Sequence, residues 1–315
     1  SNVTSAVGER GTVAIALPIG KAVGTVIELT RNDFVQNCET ILGVKYNSAN
    51  VIALREIFCH ATKVYLYDLG GDKTVENVCK ALEPYEFNIL CAYTNTTSDV
   101  SAYITQIKAW RDDMGKKCQL VVYNAPTPNH EGVINVVSTV SNDDADEFAL
   151  TAWVAGAEAG CAVYESCTNM LYDGEYTIET DKTQKELEDC ITAGQIAFHN
   201  VYGTVRLLED VNSLTSTTDD KSDDFKNNQT IRVIDQIAND IAKLFNTKYL
   251  GKIPNNASGR VSLWADIVSH HRDLEAVQAI ESFDSSMLTV EQGSTKKSVV
   301  VNDVITVTNA MAQLY

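Results

Sequence analysis

Residues 62–93 read "TKVYLYDLGGDKTVENVCKALEPYEFNILCAY" and carry the pattern that decides the fold. The apolar run at 62–69 predicts a strand, the segment 74–85 a short helix, and the continuous apolar run at 87–93 a buried strand. Two such strands joined through a helix favour a parallel arrangement, because parallel neighbours need a long crossover connection.

The same alternation extends on both sides of this stretch. A run from residue 11 predicts an earlier strand, residues 99–114 place their apolar side chains on one helical stripe, and residues 118–125 predict a further strand. Towards the end, two long helices are predicted at about 228–249 and 258–280, followed by a hairpin-like pair over 286–309. The predicted fold class is α/β with a mostly parallel sheet, plus an α+β part containing long helices and a β-hairpin.

Composition excludes several classes of partner and location. The chain has 315 residues, 44% of them hydrophobic, and a formal net charge of -17, which repels nucleic acid and anionic membranes. No apolar run approaches the roughly 18 residues of a membrane span, and no leader opens the sequence, so we expect a cytoplasmic, unsecreted protein. The eight cysteines form no CxxC motif, which favours buried free thiols over disulfides or metal ligands.

Motifs that bind phosphate or activate a nucleophile are absent from the sequence. There is no GxxxxGK[ST] and no GxSxG, and the GxxxG within "AGAEAG" (155–160) predicts close helix packing instead of a dinucleotide loop. The acidic loop "SNDDADE" (141–147) lacks the glycine and closing glutamate of a calcium loop, so a solvated loop is favoured.

Histidines are the remaining candidates for chemistry. His270 and His271 lie mid-helix without a metal-binding frame, which favours a solvated or partly packed pair over a metal site. His60, His130 and His199 are isolated in sequence, and a lone histidine is more often structural than catalytic. We therefore predict no catalytic residue, no cofactor and no metal.

Residues 195–210, "QIAFHNVYGTVRLLED", predict a β-hairpin with its turn at 200–203. Ile196 and Phe198 share one side of the first run, and Val205 and Leu207 share one side of the second. A hairpin alone is marginal, so this one needs a helix, further strands or another chain to cover its apolar face and its free edge.

Several stretches resemble the tail sheath proteins of contractile phage tails and of R-type bacteriocins, especially those of clostridia and bacilli. The resemblance spans nearly the whole chain, and the last two of the following blocks are the most specific: "ERGTVAIAL" (9–17), "VYLYDLGG" (64–71), "QLVVYNAPTPNHEGVINV" (119–136), "AWVAGAEAGCAVYESCTNMLYDGEY" (152–176), "AFHNVYGTVRLLEDVNSLT" (197–215) and "IRVIDQIANDIAKLFNTKYLGKIPNN" (231–256).

The resemblance implies a non-enzymatic structural subunit with an outer α/β domain at 1–178 and an inner, tube-facing α+β domain at 179–315. Rings of six subunits would stack around a tail tube, and arms of neighbouring subunits would add as strands to the inner hairpin. Placed on this sequence, the hairpin is 195–210, and we expect Ile196, Phe198, Val205 and Leu207 to form its contact face. The alternative that these four side chains cover their own domain stays open.

The implied partners are other copies of the chain, the tail tube protein, and baseplate and tail terminator proteins, with no nucleic acid and no membrane. The implied location is a virion tail or bacteriocin particle, made in the bacterial host cytoplasm. Many relatives carry an inserted domain after the segment that matches "LYDLGG", and this chain is expected to lack that domain. It is also expected to lack both terminal arms and therefore to be a soluble monomer. The alternatives are an intracellular α/β enzyme, which requires a polar pocket holding a histidine beside an acid, and another self-assembling tube or secretion-sheath component.

Overall fold

The computed structural model describes residues 7–71 and 74–312. These residues divide into two compact units. The first, here called the sheet unit, consists chiefly of residues 10–71, 74–162 and 166–228. The second, here called the helical unit, consists of residues 7–9, 163–165 and 229–311.

The sheet unit is built around seven strands in the order β2-β3-β1-β4-β5-β6-β7, with β2 antiparallel to β3 and all other neighbours parallel. The strands are β1 (Thr12–Leu17), β2 (Val26–Thr30), β3 (Lys63–Asp68), β4 (Ile89–Cys91), β5 (Gln119–Tyr123), β6 (Val133–Val136) and β7 (Gln195–Ile196). A separate hairpin follows, formed by β8 (Phe198–Val201) and β9 (Thr204–Leu207). The predicted mostly parallel α/β fold is confirmed.

Helices cover both faces of this sheet. They are α1 (Arg31–Leu42), α2 (Ile52–Phe58), α3 (Val75–Leu82), α4 (Thr97–Lys108), α5 (Leu150–Gly160) and α6 (Gln184–Thr192). Along β1, Val13 and Ile15 join a core with α1, α2 and α5, whereas Ala14 and Ala16 join a second core with α3 and α4. Alternate side chains of a strand point to opposite faces, so a strand buried on both faces reads as the continuous apolar run seen in the sequence.

Helix α5 is the most deeply placed helix of the sheet unit, since every residue except Gly160 is buried. A Cβ atom on Gly156 would lie 2.3 Å from the carbonyl oxygen of Ile57, and one on Gly160 would lie 2.3 Å from that of His60. The two glycines therefore let α5 approach the backbone of α2 and of the turn that follows it. The predicted helix-packing role of the GxxxG motif is confirmed.

The helical unit contains two long helices and a hairpin. These elements are α7 (Asn228–Leu244), α8 (Ala257–Ala276), β10 (Thr289–Gln292) and β11 (Val299–Asn302). Asn256 caps the start of α8 by accepting from the amide of Gly259. The core of the unit includes Val233, Leu263 and Ile267, and the predicted combination of long helices with a hairpin is confirmed.

The division of the chain differs from the boundary expected after residue 178. Residues 179–228 remain in the sheet unit because β7 extends the sheet: Ile196 pairs in register with Val136, and the amide of Ser213 donates to the carbonyl of Val133. The helical unit instead begins after residue 228. Residues 179–194 form a loop and helix α6 that lead the chain back to the sheet, so the sheet unit continues past residue 178.

Candidate subunit-interaction surfaces

The hairpin formed by β8 and β9 owes its shape to a two-residue turn. Tyr202 and Gly203 have φ values of 49° and 85°, and the amide of Gly203 donates to the side chain of Asn200 at 2.8 Å. Two successive positive φ values suit the right-handed twist of a hairpin, and glycine adopts the second without strain. The hairpin predicted within residues 195–210 is confirmed.

The four side chains expected to face a neighbouring subunit lie inside their own unit. Ile196 and Leu207 are 0% exposed, Phe198 is 1% exposed, and Val205 is half-buried against the same core. The ring of Phe198 lies 5.6 Å from that of Trp153, centroid to centroid. This corrects the expected contact face: the side chains are already packed by the sheet unit, as the alternative proposed.

The edges of this hairpin are also largely taken. On the β9 side, the amide of Tyr172 donates to Val205, and the amide of Leu207 donates to Met170, both at 2.9 Å. On the β8 side, the amide of Phe198 donates to the hydroxyl of Ser138. These bonds occupy much of both edges, most of all the β9 edge, which leaves little room for an added strand.

The hairpin formed by β10 and β11 differs in this respect. At the end of the ladder the amide of Gly293 donates to the carbonyl of Ser298. Hydrogen-bonded and non-hydrogen-bonded pairs alternate along an antiparallel ladder, so the next hydrogen-bonded pair is Glu291 with Val300. The residues of the alternate pairs point their backbone groups outward. Outward groups belong to Val290 and Gln292 on β10 and to Val299 and Val301 on β11. Within residues 7–71 and 74–312 we find no backbone partner for them, so both edges are open.

The two faces of this second hairpin are also distinct. Val290, Val299 and Val301 pack against the core of the helical unit, whereas Glu291 and Val300 are exposed on the opposite face. The side chain of Asn255 donates to the carbonyls of Lys296 and Ser298 and holds the turn at 293–298. The hairpin is therefore anchored on one face while its edges remain accessible. The apolar run in "SVVVN" predicted a strand here. Whether the edges of that strand are free depends on what packs beside it, so the local sequence could not predict it.

The site where an α/β enzyme would hold an anionic ligand is occupied by the protein itself. Asp68, fully buried at the carboxyl end of β3, accepts from four successive backbone amides in the loop after β1. These are the amides of Ile19, Gly20, Lys21 and Ala22, at 2.7–3.0 Å. Ligands of open α/β sheets bind at the carboxyl ends of the strands. Here a fixed carboxylate satisfies the donors that a phosphate would use.

Two histidines of the sheet unit each lie beside an aspartate. His60 Nε2 lies 3.0 Å from Asp173, and His130 Nε2 lies 3.1 Å from Asp112. The Nδ1 atom of His130 accepts from the amide of Gly132, so neither nitrogen of its ring is available to a substrate. Burial lowers the pKa of His130, although Glu131 and Asp112 oppose the change. We assign the His130–Asp112 pair a structural role.

His270 and His271 are buried in α8, at 3% and 0% exposure, which corrects the prediction of a solvated or partly packed pair. His270 contacts Asp240 of α7, and the two together line a cleft of about 330 Å³ with Lys243 and Asp266. This is the pocket that the enzyme alternative requires. However, Nδ1 of His270 faces His271 and Nε2 faces Asp240, so the ring has no free nitrogen with which to accept a proton from a substrate.

Two groups of the described residues bring potential metal ligands within 4.8 Å of one another. The first group consists of Asp112, His130 and Glu131. Both carboxylate oxygens of Glu131 accept from Lys221, and both ring nitrogens of His130 already have hydrogen-bond partners. In the second, formed by Glu158, Cys167 and Asp210, a hydrogen bond with Cys161 and burial raise the pKa of Cys167 well above its usual value. A protonated thiol is a poor metal ligand. The donor chemistry favours neither group as a metal site.

The predicted buried thiols are confirmed, since seven cysteines are buried and Cys59 is partly so, with no disulfide formed between them. The acidic loop at 141–147 is mostly exposed, as expected for a solvated loop. Of the helices described by the structure, none has both the length and the apolar character that crossing a membrane requires.

Curated proteins are similar to this chain in sequence. A tail sheath protein of Clostridium phage phiCD119 is 27% identical over 224 residues, which are 70% of this chain and 62% of that protein. The match to this chain extends over 39% to 62% of the length of each of three curated relatives. The chain thus spans less than two thirds of them.

Solved structures show the same fold. The sheath tail protein of Desulfitobacterium hafniense has a TM-score of 0.85 at 23% identity, with 96% of this chain and 94% of that one covered. The helical sheath of the anti-feeding prophage, in its contracted state, has a TM-score of 0.75 at 15% identity, with 100% and 96% covered. At these identities the likeness establishes the fold.

Family models assign the chain along most of its length. The model of the phage tail sheath protein central domain matches residues 71–213, and that of the phage tail sheath C-terminal domain matches residues 220–315. The boundary between the two matches falls close to the division between the sheet unit and the helical unit. The chain belongs to the phage tail sheath protein family.

Proposed function

We propose that this chain is a structural, non-enzymatic subunit of a contractile tail sheath. Copies assemble as stacked rings of six around a tail tube, and contraction drives the tube through a cell envelope. Family membership and the sheath fold support this function. The observation that carries it is the β10–β11 hairpin, whose two open edges suit a subunit that joins its neighbours by main-chain hydrogen bonds.

Strand addition at β10 and β11 explains the arrangement of this hairpin. An added strand takes its register from the outward amides and carbonyls of Gln292 on one edge and Val301 on the other. The half-buried valines hold the hairpin on the helical unit, so that an added strand extends a fixed template. We therefore move the receiving hairpin from 195–210 to 289–302, because the first has its side chains buried and its β9 edge paired.

The partners in this proposal are copies of the chain, the tail tube protein, and baseplate and terminator proteins at the two ends of the sheath. The particle is a virion tail or a bacteriocin, made in the cytoplasm of a bacterial host. Contraction needs no nucleotide, since it converts an extended packing of subunits into a more stable compact one by rigid-body motion. The occupied amide cradle of Asp68 agrees with a mechanism that binds no phosphate.

Proline substitution at the open edges tests the proposal directly. In the double variant Gln292→Pro and Val301→Pro, each proline removes an outward N–H that the hairpin itself does not use. In the full-length protein with both terminal arms, combined with its tail tube, we expect the unchanged sequence to form long striated cylinders by electron microscopy. We expect the double variant to remain as dispersed subunits.

The matched control is Val300→Thr, which changes an exposed side chain on the same strand and leaves both edges intact. It should assemble like the unchanged protein. Circular dichroism and thermal unfolding verify that the proline variant is folded. Cylinders formed equally well by the proline variant would remove the hairpin from the assembly mechanism. A failure of the unchanged full-length protein to form any would count against the sheath function itself.

A further inference from the structure

Four titratable side chains form a continuous row in the helical unit. Asp240 of α7 lies 2.8 Å from Nε2 of His270, the Nδ1 atoms of His270 and His271 lie 3.1 Å apart, and Nε2 of His271 lies 2.5 Å from Asp303. The side chains of the two histidines are 4% and 0% exposed, and those of the aspartates are 8% and 19% exposed. Water therefore has little access to the three contacts.

Counting protons shows that this row cannot consist of two neutral imidazoles and two carboxylates. Each hydrogen bond contains one proton, so the three contacts need three. Two neutral imidazoles supply only two protons, and two ionised carboxylates supply none. With two protons, either two ring nitrogens face each other with lone pairs at 3.1 Å, or an aspartate loses its hydrogen bond.

We infer that the row Asp240–His270–His271–Asp303 retains a third proton in the folded protein and acts as a proton-dependent latch within the helical unit. The extra proton makes one imidazole cationic or one aspartate neutral, and in either form all three contacts are satisfied. The row then carries one negative charge, compared with two when the proton is lost. Losing it leaves a buried polar contact unmade and an additional charge uncompensated, both of which oppose folding.

The latch joins segments that are distant in sequence. At one end, Asp240 accepts from the amide of Gly8, and Gln236 donates to both the carbonyl of Gly8 and the other oxygen of Asp240. At the other end, Asp303 begins the segment after β11, which continues to a bridge between Val307 and Ile280. The row therefore fixes the segment near residue 8 and the segment after residue 302 to the same pair of helices.

Charged groups around the row leave the proton count unchanged. From α7, Lys243 lines the cleft beside Asp240, and from α8, Asp266 does the same while paired with Lys248 at 2.6 Å. On the far side, the ring of Phe283 packs edge-on against His271, and the guanidinium of Arg272 lies over that ring. Lys243 and Arg272 partly offset the negative charge, but neither takes the place of a contact in the row.

Unfolding as a function of pH measures the third proton. At a pH well above its ordinary pKa of about 6.5, a histidine of the unfolded chain is neutral, so a folded state with one more bound proton becomes less stable as pH rises. We expect the extra proton to make the equilibrium constant for unfolding of the unchanged protein rise with pH, approaching about tenfold per pH unit above about pH 7.5, until the row loses its proton. Urea titrations at several pH values give this slope.

The variant Asp303→Asn tests whether the third proton causes this dependence of unfolding on pH. The asparagine amide donates to Nε2 of His271, so all three contacts form with two neutral imidazoles and no third proton. We expect this variant to stay folded and to lose the tenfold dependence. Glu291→Gln, which removes one exposed negative charge from β10 in the same unit, should keep it.

A second measurement does not depend on any variant. Nitrogen-15 NMR of labelled histidines at pH 7 should show three nitrogen-bound protons on the pair, or two together with a protonated aspartate in the carbon-13 spectrum. Equal pH slopes for the unchanged protein and Asp303→Asn would overturn the latch, as would two protons with two ionised aspartates, or a metal ion found between the Nδ1 atoms. The consequence of the latch for assembly rests on the proposed sheath function: raising the pH should loosen the segment near residue 8 and the segment after residue 302. The unfolding and NMR readouts test the latch even if no sheath forms.

Discussion

The two hairpins of this chain have strands of the same length, four residues each, and opposite surroundings. The β8–β9 hairpin has its apolar side chains in the core and its β9 edge paired with residues 169–172. The β10–β11 hairpin rests three valines on the helical unit and leaves both edges without a backbone partner among the described residues. One hairpin completes a fold, and the other has the geometry of an acceptor for further strands.

The difference shows that a strand pattern indicates which face is apolar but not whether an edge is free. Side-chain alternation depends on residues within the strand, whereas edge occupancy depends on what packs beside it. For β9 that neighbour is the segment containing Met170 and Tyr172, more than 30 residues earlier in the chain. Substitutions that act on one hairpin should consequently have little effect on the role of the other.

The largest expected effect is on stability, from truncating the buried hairpin. Phe198→Ala removes a fully buried ring that packs on Trp153 and Tyr172, and should lower the free energy of unfolding by about 3–5 kcal/mol. Val300→Ala, at an exposed position of β11, should change it by less than about 0.5 kcal/mol. Urea unfolding followed by circular dichroism compares the two. Similar losses from both substitutions would contradict the contrast between the hairpins.

The segment that covers the β9 edge provides a smaller test. The hydroxyl of Tyr172 donates to the buried carboxylate of Glu56 at 2.7 Å and accepts from the amide of Tyr176 at 3.0 Å. Tyr172→Phe leaves both groups without this partner and should cost about 1–3 kcal/mol. We expect hydrogen exchange at the amides of Tyr172 and Leu207 to speed up, because their ladder weakens. Tyr202→Phe, at the exposed turn, is the matched control and should change neither quantity.

Glu56 makes the same segment sensitive to pH. Burial raises the pKa of Glu56, although its bonds to the amide of Glu175 and to Tyr172 oppose the rise. A carboxyl whose pKa is higher in the folded than in the unfolded state favours folding when protonated, and this contribution is lost as pH rises through the folded value. One proton changes the free energy of unfolding by at most about 1.4 kcal/mol per pH unit.

Comparing the unchanged protein with Glu56→Gln isolates that contribution. Between about pH 4.5 and neutrality, the unchanged protein should lose stability relative to the variant, whose amide does not ionise. Thermal unfolding at pH 4.5, 5.5 and 6.5 gives the difference. A constant difference at all three values would show that the folded and unfolded states bind the same number of protons at this position.

Much of the architecture follows from local patterns, and what does not follow has identifiable physical causes. The apolar runs around Leu66, Leu90 and Val121 and the turn at Tyr202 and Gly203 depend on short-range chemistry, so the sequence locates them. The extent of the sheet unit does not, because β7 joins the sheet only through pairing with β6.

The buried histidines escaped prediction for a related reason. Neighbouring positions on a helix point about 100° apart, so an amphipathic helix packed on one side exposes one of them. Here α7 supplies Asp240 to His270, while the segment after β11 supplies Asp303 to His271. Helix α8 is thus covered on two sides by elements that its own sequence does not specify.

The smallest expected effect concerns the turn of the buried hairpin, where backbone strain can be separated from packing. Gly203 has a φ of 85°, and a Cβ atom added there would meet nothing within 4 Å. Gly203→Ala should therefore cost only the conformational penalty of a side chain at positive φ, about 1 kcal/mol. Since Phe198 and Leu207 anchor the strands below the turn, we expect the hairpin to persist and the loss to appear in the midpoint of urea unfolding, with an unchanged slope. A lower slope would mean that the turn, and not the buried side chains, holds β8 and β9 together.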